Sequence, residues 1–253
     1  MNPRTARVVR RSNSPLSPEN SVSKAAEKMS PNEAVVFHSR QAAAWEIGYS
    51  TPKFSVRFDV LRSLLQDQDL AGQQWLDAGC GTGSLARWLA AKKGCNVTGI
   101  DASREMIANC HRTPGTQFQV IDDIRDLPFA DGAFDGVLCS SVLEYTRSPE
   151  DVLAELHRVI RRGGRLVVSV PSSHPFARWP LLAIYWLTKP LGRWRQLAFL
   201  DYSHFAYSPS QFSGILQNSS FAPEGLCKFG AVRFRKIRVT GAATMLMFLA
   251  RVF

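Results

Sequence analysis

The chain has 253 residues, a net charge of +10 and five cysteines. That length accommodates one α/β domain of about 200 residues plus extensions. An odd cysteine count with no Cys-x-x-Cys pair argues against a disulfide scaffold or a zinc ribbon. Cys80, Cys95, Cys110, Cys139 and Cys227 therefore read as small buried hydrophobes of a reducing, cytoplasmic compartment.

Residues 1–32 are rich in Ser, Pro and Arg and lack an apolar period, which predicts a disordered basic tail. Arg4, Arg7, Arg10 and Arg11 have no apolar stretch behind them, so no secretory signal is read there. Pro3, Pro15 and Pro18 oppose the amphipathic helix of an organelle transit peptide. A single domain is expected over residues 33–253. Its first helical stretch carries Ala34, Val35, Phe37, Ala44, Trp45, Ile47 and Tyr49, up to a break at Ser50-Thr51-Pro52. A second, over residues 54–66, spaces Phe54, Phe58, Leu61 and Leu65 by three and four.

Strand signals then alternate with helical ones. An apolar run reaches Asp77 and breaks into Gly79, Gly81 and Gly83, followed by a helical pattern over 84–91. Further strands are expected at 96–101, 116–121, 133–140 and 164–170, with a helix over 149–160. This order predicts parallel strands joined by helices. Residues 172–206 form an insertion in which Trp179, Leu182, Tyr185, Trp186 and Leu187 are interleaved with Arg178, Lys189, Arg193 and Arg195. Its longest apolar segment, 179–187, falls far short of the roughly 20 residues that span a bilayer. Ser208 before Pro209 opens a capped helix to residue 218, and two last strands are expected near 225–229 and 244–252.

Three glycines at alternate positions after an acid-ended strand let backbone come close to a ligand. About twenty residues on, Asp101 ends the second strand, where a doubly wound sheet places a carboxylate for ribose hydroxyls. The spacing Gly79-x-Gly81-x-Gly83 differs from the G-x-G-x-x-G of pyrophosphate-binding turns. Leu127-Pro128-Phe129 followed by Phe134-Asp135 has no counterpart in those dehydrogenase domains. The series, over roughly residues 45–171, resembles the class I S-adenosylmethionine (SAM) dependent methyltransferases, and is similar to the quinone-biosynthesis type. The resemblance implies an α/β fold: a Rossmann-like, doubly wound, seven-stranded, mostly parallel sheet with an antiparallel edge strand. It also implies N-terminal helices over the cofactor and a lid inserted after the fifth strand.

SAM is the cofactor this implies. Asp77 is set to meet its amino group, and Gly79, Cys80, Gly81 and Gly83 to pass close to its carboxylate and sulfur. Asp101, beside Ala102, is set to accept from the ribose. By resemblance Met106 packs on the adenine, Asp123 takes the exocyclic amine, Ile124 offers its N–H to the ring, and Ser140 ends the fourth strand at the site. Asp122 competes with Asp123 for its role.

Residues 140–145 resemble the Leu-Glu-His and Leu-His-His stretches of enzymes acting on quinones, with Tyr145 where a His is expected. That substitution argues against a His base or a metal ligand at this spot, and no metal is expected. For a hydroxyl acceptor, Glu144, His174 and His204 are the candidate bases. An Asn-Pro-Pro-Tyr site of N-methyltransferases is absent, as is a cysteine pair for cytosine C5 chemistry. Charge is uneven: fourteen Lys/Arg against sixteen Asp/Glu over residues 41–170, but ten against two over 171–253. The expected acceptor is a small or lipid-like apolar molecule, methylated at oxygen, with peripheral membrane contact through the basic C-terminal third. Nucleic acid is not expected, because no recognisable RNA-binding module accompanies the domain. An RNA methyltransferase and a noncatalytic SAM-binding protein are the alternatives.

Overall fold

The computed structural model describes residues 31–191, 195–230, 233–234, 237–238 and 243–253. The expected basic tail lies outside these, except for its last two residues, which open a helix. Three helices precede the sheet: α1 (Pro31–Ser39), α2 (Ala42–Tyr49) and α3 (Pro52–Leu64). Pro52 suits the first turn of α3, where an N–H would have no intrahelical partner, and the extended Thr51 separates it from α2. The helical stretch expected before that break is itself divided, at Arg40 and Gln41.

Strands and helices then alternate as β1 (Gln74–Ala78), α4 (Ser84–Lys93), β2 (Asn96–Asp101), α5 (Arg104–Ala108), β3 (Thr116–Val120), β4 (Phe134–Ser140), α6 (Pro149–Val159) and β5 (Ile160–Pro171). The insertion supplies α7 (Pro175–Thr188), and the chain ends with α8 (Pro209–Asn218), β6 (Phe221–Phe229) and β7 (Met245–Val252). Ser208 caps α8 as the sequence predicts: its Oγ accepts from Gln211 N–H, and Gln211 Oε1 accepts from Ser208 N–H.

The sheet order is β3-β2-β1-β4-β5-β7-β6. The first five strands pair in parallel, and β7 runs antiparallel to both of its neighbours. The expected antiparallel pairing is therefore present at this edge, but the reversed strand sits one place in and β6 is outermost. In that slot β7 bonds on both sides, so its backbone groups are paired.

Alternating side chains divide the core between two faces. Leu76 and Ala78 pack with Val137, Val168, Leu156 and Phe212 beneath α6 and α8. Trp75 packs with Leu138, Val167, Leu61 and Leu89 beneath α3 and α4. Both faces are covered, which is why the central strands read as continuous apolar runs. Asp77 shares the face of Trp75 and is carried into the interior with it, at 1% exposure.

Two motifs singled out in the sequence serve the scaffold. Asp135 accepts from Gln74 N–H at 2.7 Å and from Arg161 Nε at 2.6 Å, joining the starts of β1, β4 and β5. Leu127 N–H donates to Glu155, while Arg158 reaches the carbonyls of Leu127 and Phe129. α6 thus clamps the Leu-Pro-Phe turn.

Candidate cofactor and acceptor site

Because β2 and β4 flank β1, the connections leave β1 on one side and β4 on the other, and a crevice opens at their carboxyl ends. The glycine turn lies at this switch point. Gly79, Gly81 and Gly83 all adopt positive φ. A Cβ on Gly79 would lie 2.3 Å from Val142 Cγ2, and one on Gly81 would lie 3.0 Å from Trp45 Nε1. The turn is held by its own amides: Gly79 and Cys80 N–H both donate to Ile100 O at 2.8 Å, Gly81 N–H to Asp101, and Gly83 N–H to Cys80 O. These four groups point into the protein, so the turn offers a ligand close backbone surface rather than their N–H donors.

Asp77 accepts from the Ala86 N–H of α4, yet its Oδ2 has no hydrogen-bond partner among the described residues. Burial, then the neighbouring Asp101, push its pKa from 3.8 to about 7. Asp101 is also raised, by burial, against the opposing bonds it accepts from Ser103 and Gly81 N–H at 2.9 Å each. Two neighbouring acids of like charge, Asp77 buried and Asp101 half-buried, favour a cation beside them.

Met106 is buried on α5, whose first turn is capped by Ser103 Oγ accepting from Met106 N–H. Ala102 is half-buried beside Asp101. Asp123 is held by Arg125, which donates from Nε, Nη2 and its backbone N–H at 2.7–2.9 Å, and these bonds keep the carboxyl below its usual range. Its role at an adenine amine would have to share that carboxylate with Arg125. Asp122 is exposed, and Ile124 is half-buried against the core. Ser140 Oγ lies 3.1 Å from Ser169 Oγ, and Ser141 follows in the left-handed region with φ 59°.

The N-terminal helices close over this crevice through residues that sequence reasoning passed over. Glu46 of α2 accepts from Thr82 Oγ1 and Ser84 Oγ at 2.8 Å and from Arg87 Nη2 at 2.5 Å. Ser39 of α1 donates to Ser103 Oγ at 2.7 Å. His38 packs edge-on against Trp45 and Tyr145, with ring centroids 5.4 and 4.8 Å away. Both of its ring nitrogens are buried without a hydrogen-bond partner among the described residues. A lone acid and a lone His, each inside an apolar helical run, were the signals available.

The three candidate bases separate. Glu144 is buried, at 3% exposure, in the turn Leu143–Tyr145, and its carbonyl accepts from His204 N–H at 2.9 Å. His204 is half-buried, and burial lowers its pKa. His174 is exposed at the start of α7, so it is not gathered into the interior with the other two. α7 buries Tyr185, which donates to Asp201. It leaves Trp179, Trp186 and Leu187 exposed at 72, 65 and 77%.

This sheet order, with acids ending β1 and β2 around a three-glycine turn, is similar to that of class I SAM-dependent methyltransferase domains. Residues 76–168 match the family model described as a methyltransferase domain. The chain is 35% identical over 122 residues to the O-methyltransferase cnsE of Penicillium expansum, covering 45% of this chain and 44% of that one. It is 37% identical over 135 residues to a demethylmenaquinone methyltransferase of Renibacterium salmoninarum, covering 49% and 56%. The chain thus spans about half the length of these curated relatives. In fold it is similar to a chain from the complex between the Haloferax volcanii Trm112 methyltransferase activator and a methyltransferase. That match has a TM-score of 0.63 at 18% identity, over 85% of this chain and 97% of that one.

Proposed function

We propose that the protein transfers the methyl group of SAM to an oxygen of a small or lipid-like apolar acceptor. The observation that carries the reading is Asp77, a buried acid with one oxygen unpartnered among the described residues, next to a second, half-buried acid at the mouth of a glycine turn. Such a pair fits a cationic amino acid joined to a ribose. Asp77 would bind the ammonium, Asp101 the ribose hydroxyls, and Met106 would pack beneath the base. When bound, SAM supplies an electrophilic methyl on a sulfonium. The protein's part is to exclude water, fix the donor and hold the acceptor in line with it, since positioning supplies most of the rate. The N-terminal helices and α7 would supply that enclosure.

The O-methyltransferase and the demethylmenaquinone methyltransferase among the relatives support a small-molecule acceptor. The decisive experiment incubates the protein with SAM and separate lipid, quinone, phenol and RNA fractions, and identifies methylated products by mass. Methylation confined to RNA, or binding of NAD in place of SAM, overturns the reading.

The lid motivates a second element, contact with an anionic membrane surface. Trp179, Trp186 and Leu187 lie at i, i+7 and i+8 of α7, opposite the buried Tyr185, so one face of the helix presents two exposed tryptophans. The ten Lys/Arg against two Asp/Glu of residues 171–253 give the surrounding third the complementary charge. Among the described residues no helix is long and apolar enough to cross a membrane.

A further inference from the structure

His38 has the surroundings of a ligand-binding side chain and no structural partner that explains it. Its ring contacts Phe37, Trp45 and Tyr145, with centroids 4.8–5.4 Å away, and Phe37 in turn meets Tyr202 near the end of the insertion. Trp45 lies over Gly81 of the cofactor turn, and Tyr145 follows β4 on the acceptor side. The imidazole therefore stands between the element that would hold the donor and the elements that would hold the acceptor. A neutral imidazole carries one donor and one acceptor nitrogen, and among the described residues neither has a partner. Leaving such a group buried costs about 1–3 kcal/mol, which a purely structural position would be relieved of by Phe or Leu.

We propose that His38 receives the hydroxyl of the acceptor and takes its proton during transfer. The inference rests on the oxygen-acceptor reading above. As the acceptor oxygen bonds to the methyl carbon, the carbon–sulfur bond breaks and its electron pair stays on sulfur. The hydroxyl proton passes to the unprotonated ring nitrogen of His38 and then to water. Burial pushes the imidazole pKa down to about 4, so the ring is neutral and available as an acceptor at physiological pH. The aromatic walls would sandwich a flat or apolar acceptor, leaving the imidazole as the polar group that orients it. His38 belongs to α1, whereas Glu144 and His204 come from other segments, so its contribution can be separated from theirs.

The test uses the full chain with histidine side chains labelled in ¹⁵N, S-adenosylhomocysteine at saturation and 2-naphthol as the probe. Naphthol should shift the His38 ring resonances, assigned by their absence in His38→Gln. His38→Phe should weaken naphthol binding roughly tenfold, the worth of one hydrogen bond to a buried group. His38→Gln can still accept that bond but cannot take the proton. It should keep naphthol affinity and lower the rate of methyl transfer at saturation roughly 100-fold, the usual scale of a general base. Unchanged SAM affinity in both variants shows that each is folded. His38 resonances unmoved by naphthol, or a His38→Phe variant with wild-type binding and turnover, overturn the proposal. Naphthol held by His38 but never methylated would leave the hydroxyl site standing while removing the oxygen-transfer reading and the proton step with it.

Discussion

Glu46 and Arg87 meet at 2.5 Å and tie the second N-terminal helix to the helix that follows the glycine turn. Arg87 is mostly buried, Glu46 is about half exposed, and the carboxylate also receives Thr82 and Ser84 from the start of α4. The bonds hold the Glu46 carboxyl below its usual range despite partial burial. The same helix places Trp45 over Gly81. The cover of the crevice and its floor therefore move as one body while this contact is intact.

Glu46→Ala should release that cover. The expected loss of stability is about 1 kcal/mol, since half of the pair is screened by solvent. The larger effect should be kinetic, with SAM exchanging faster in stopped-flow binding. Arg87→Ala should do the same, and the double variant should lose less than the sum of the two. Additive losses would mean that the contact contributes nothing of its own.

The proposed role of Asp77 predicts that cofactor binding depends on pH. In the free protein its pKa is pushed up to about 7 by burial and Asp101, against an ordinary 3.8. A group whose folded pKa is raised stabilises the fold below its ordinary value, and that contribution is lost as pH rises from about 4 to about 7. Binding an ammonium at Asp77 requires the ionised form. SAM affinity should therefore fall below pH 7, by at most about tenfold per unit, and level off above it. Calorimetry at pH 6 in buffers of different ionisation enthalpy should register proton release on binding. Asp77→Asn should lose affinity at high pH and show no such release. A wild type with flat affinity from pH 5.5 to 8 would exclude Asp77 as the ammonium partner.

Much of this was legible in the chain because strand-ending acids and glycines are local signals. Asp77, Asp101 and the three-glycine turn mark where β1, β2 and α4 begin and end, and Ser208 with Pro209 marks the start of α8. The contacts that close the site were not legible, because they join residues far apart in sequence. Glu46 lies 36 residues before Thr82. His38 meets Tyr145 only because α1 folds back across the end of β4. Asp123 was read as an acceptor for adenine, while Arg125, two residues on, gives it a salt bridge that spacing alone did not reveal. The position of β7 inside β6 is likewise a matter of pairing over long range, to which the strand pattern is blind.

Gly79 should tolerate no side chain. Its φ of 77° disfavours any L-residue, and a Cβ would collide with Val142 at 2.3 Å. Gly79→Ala should lower stability by roughly 1–3 kcal/mol from backbone strain alone and weaken SAM binding as the turn shifts. Adding Val142→Ala should remove the collision and recover part of the stability, without relieving the strain. Thermal unfolding of the wild type and the two variants, with Val142→Ala alone as the control, separates the two contributions. If Val142→Ala brings no recovery, the Val142 contact is not what the glycine accommodates.

The proposed lid should be separable from the proposed cofactor site. Asp77, the glycine turn and Asp101 belong to the carboxyl ends of β1 and β2, whereas α7 follows β5 and carries Trp179 and Trp186 into solvent. Deleting residues 176–198 should leave SAM affinity within a few-fold of wild type in calorimetry and abolish transfer to the native acceptor. Trp179→Ser with Trp186→Ser should preserve transfer to a water-soluble acceptor while reducing sedimentation with anionic vesicles. Reversing the charge at Arg193 and Arg195 should also weaken sedimentation. That loss should shrink as salt rises, because surface charges are screened over about 10 Å at 0.1 M. If the wild type ignores anionic vesicles at low salt, the membrane contact falls and α7 is left as the wall of a pocket for a soluble acceptor. If the deletion loses SAM affinity as well, the lid and the cofactor site are one unit, and the division of labour between the segments after β1 and β2 and the segment after β5 is wrong.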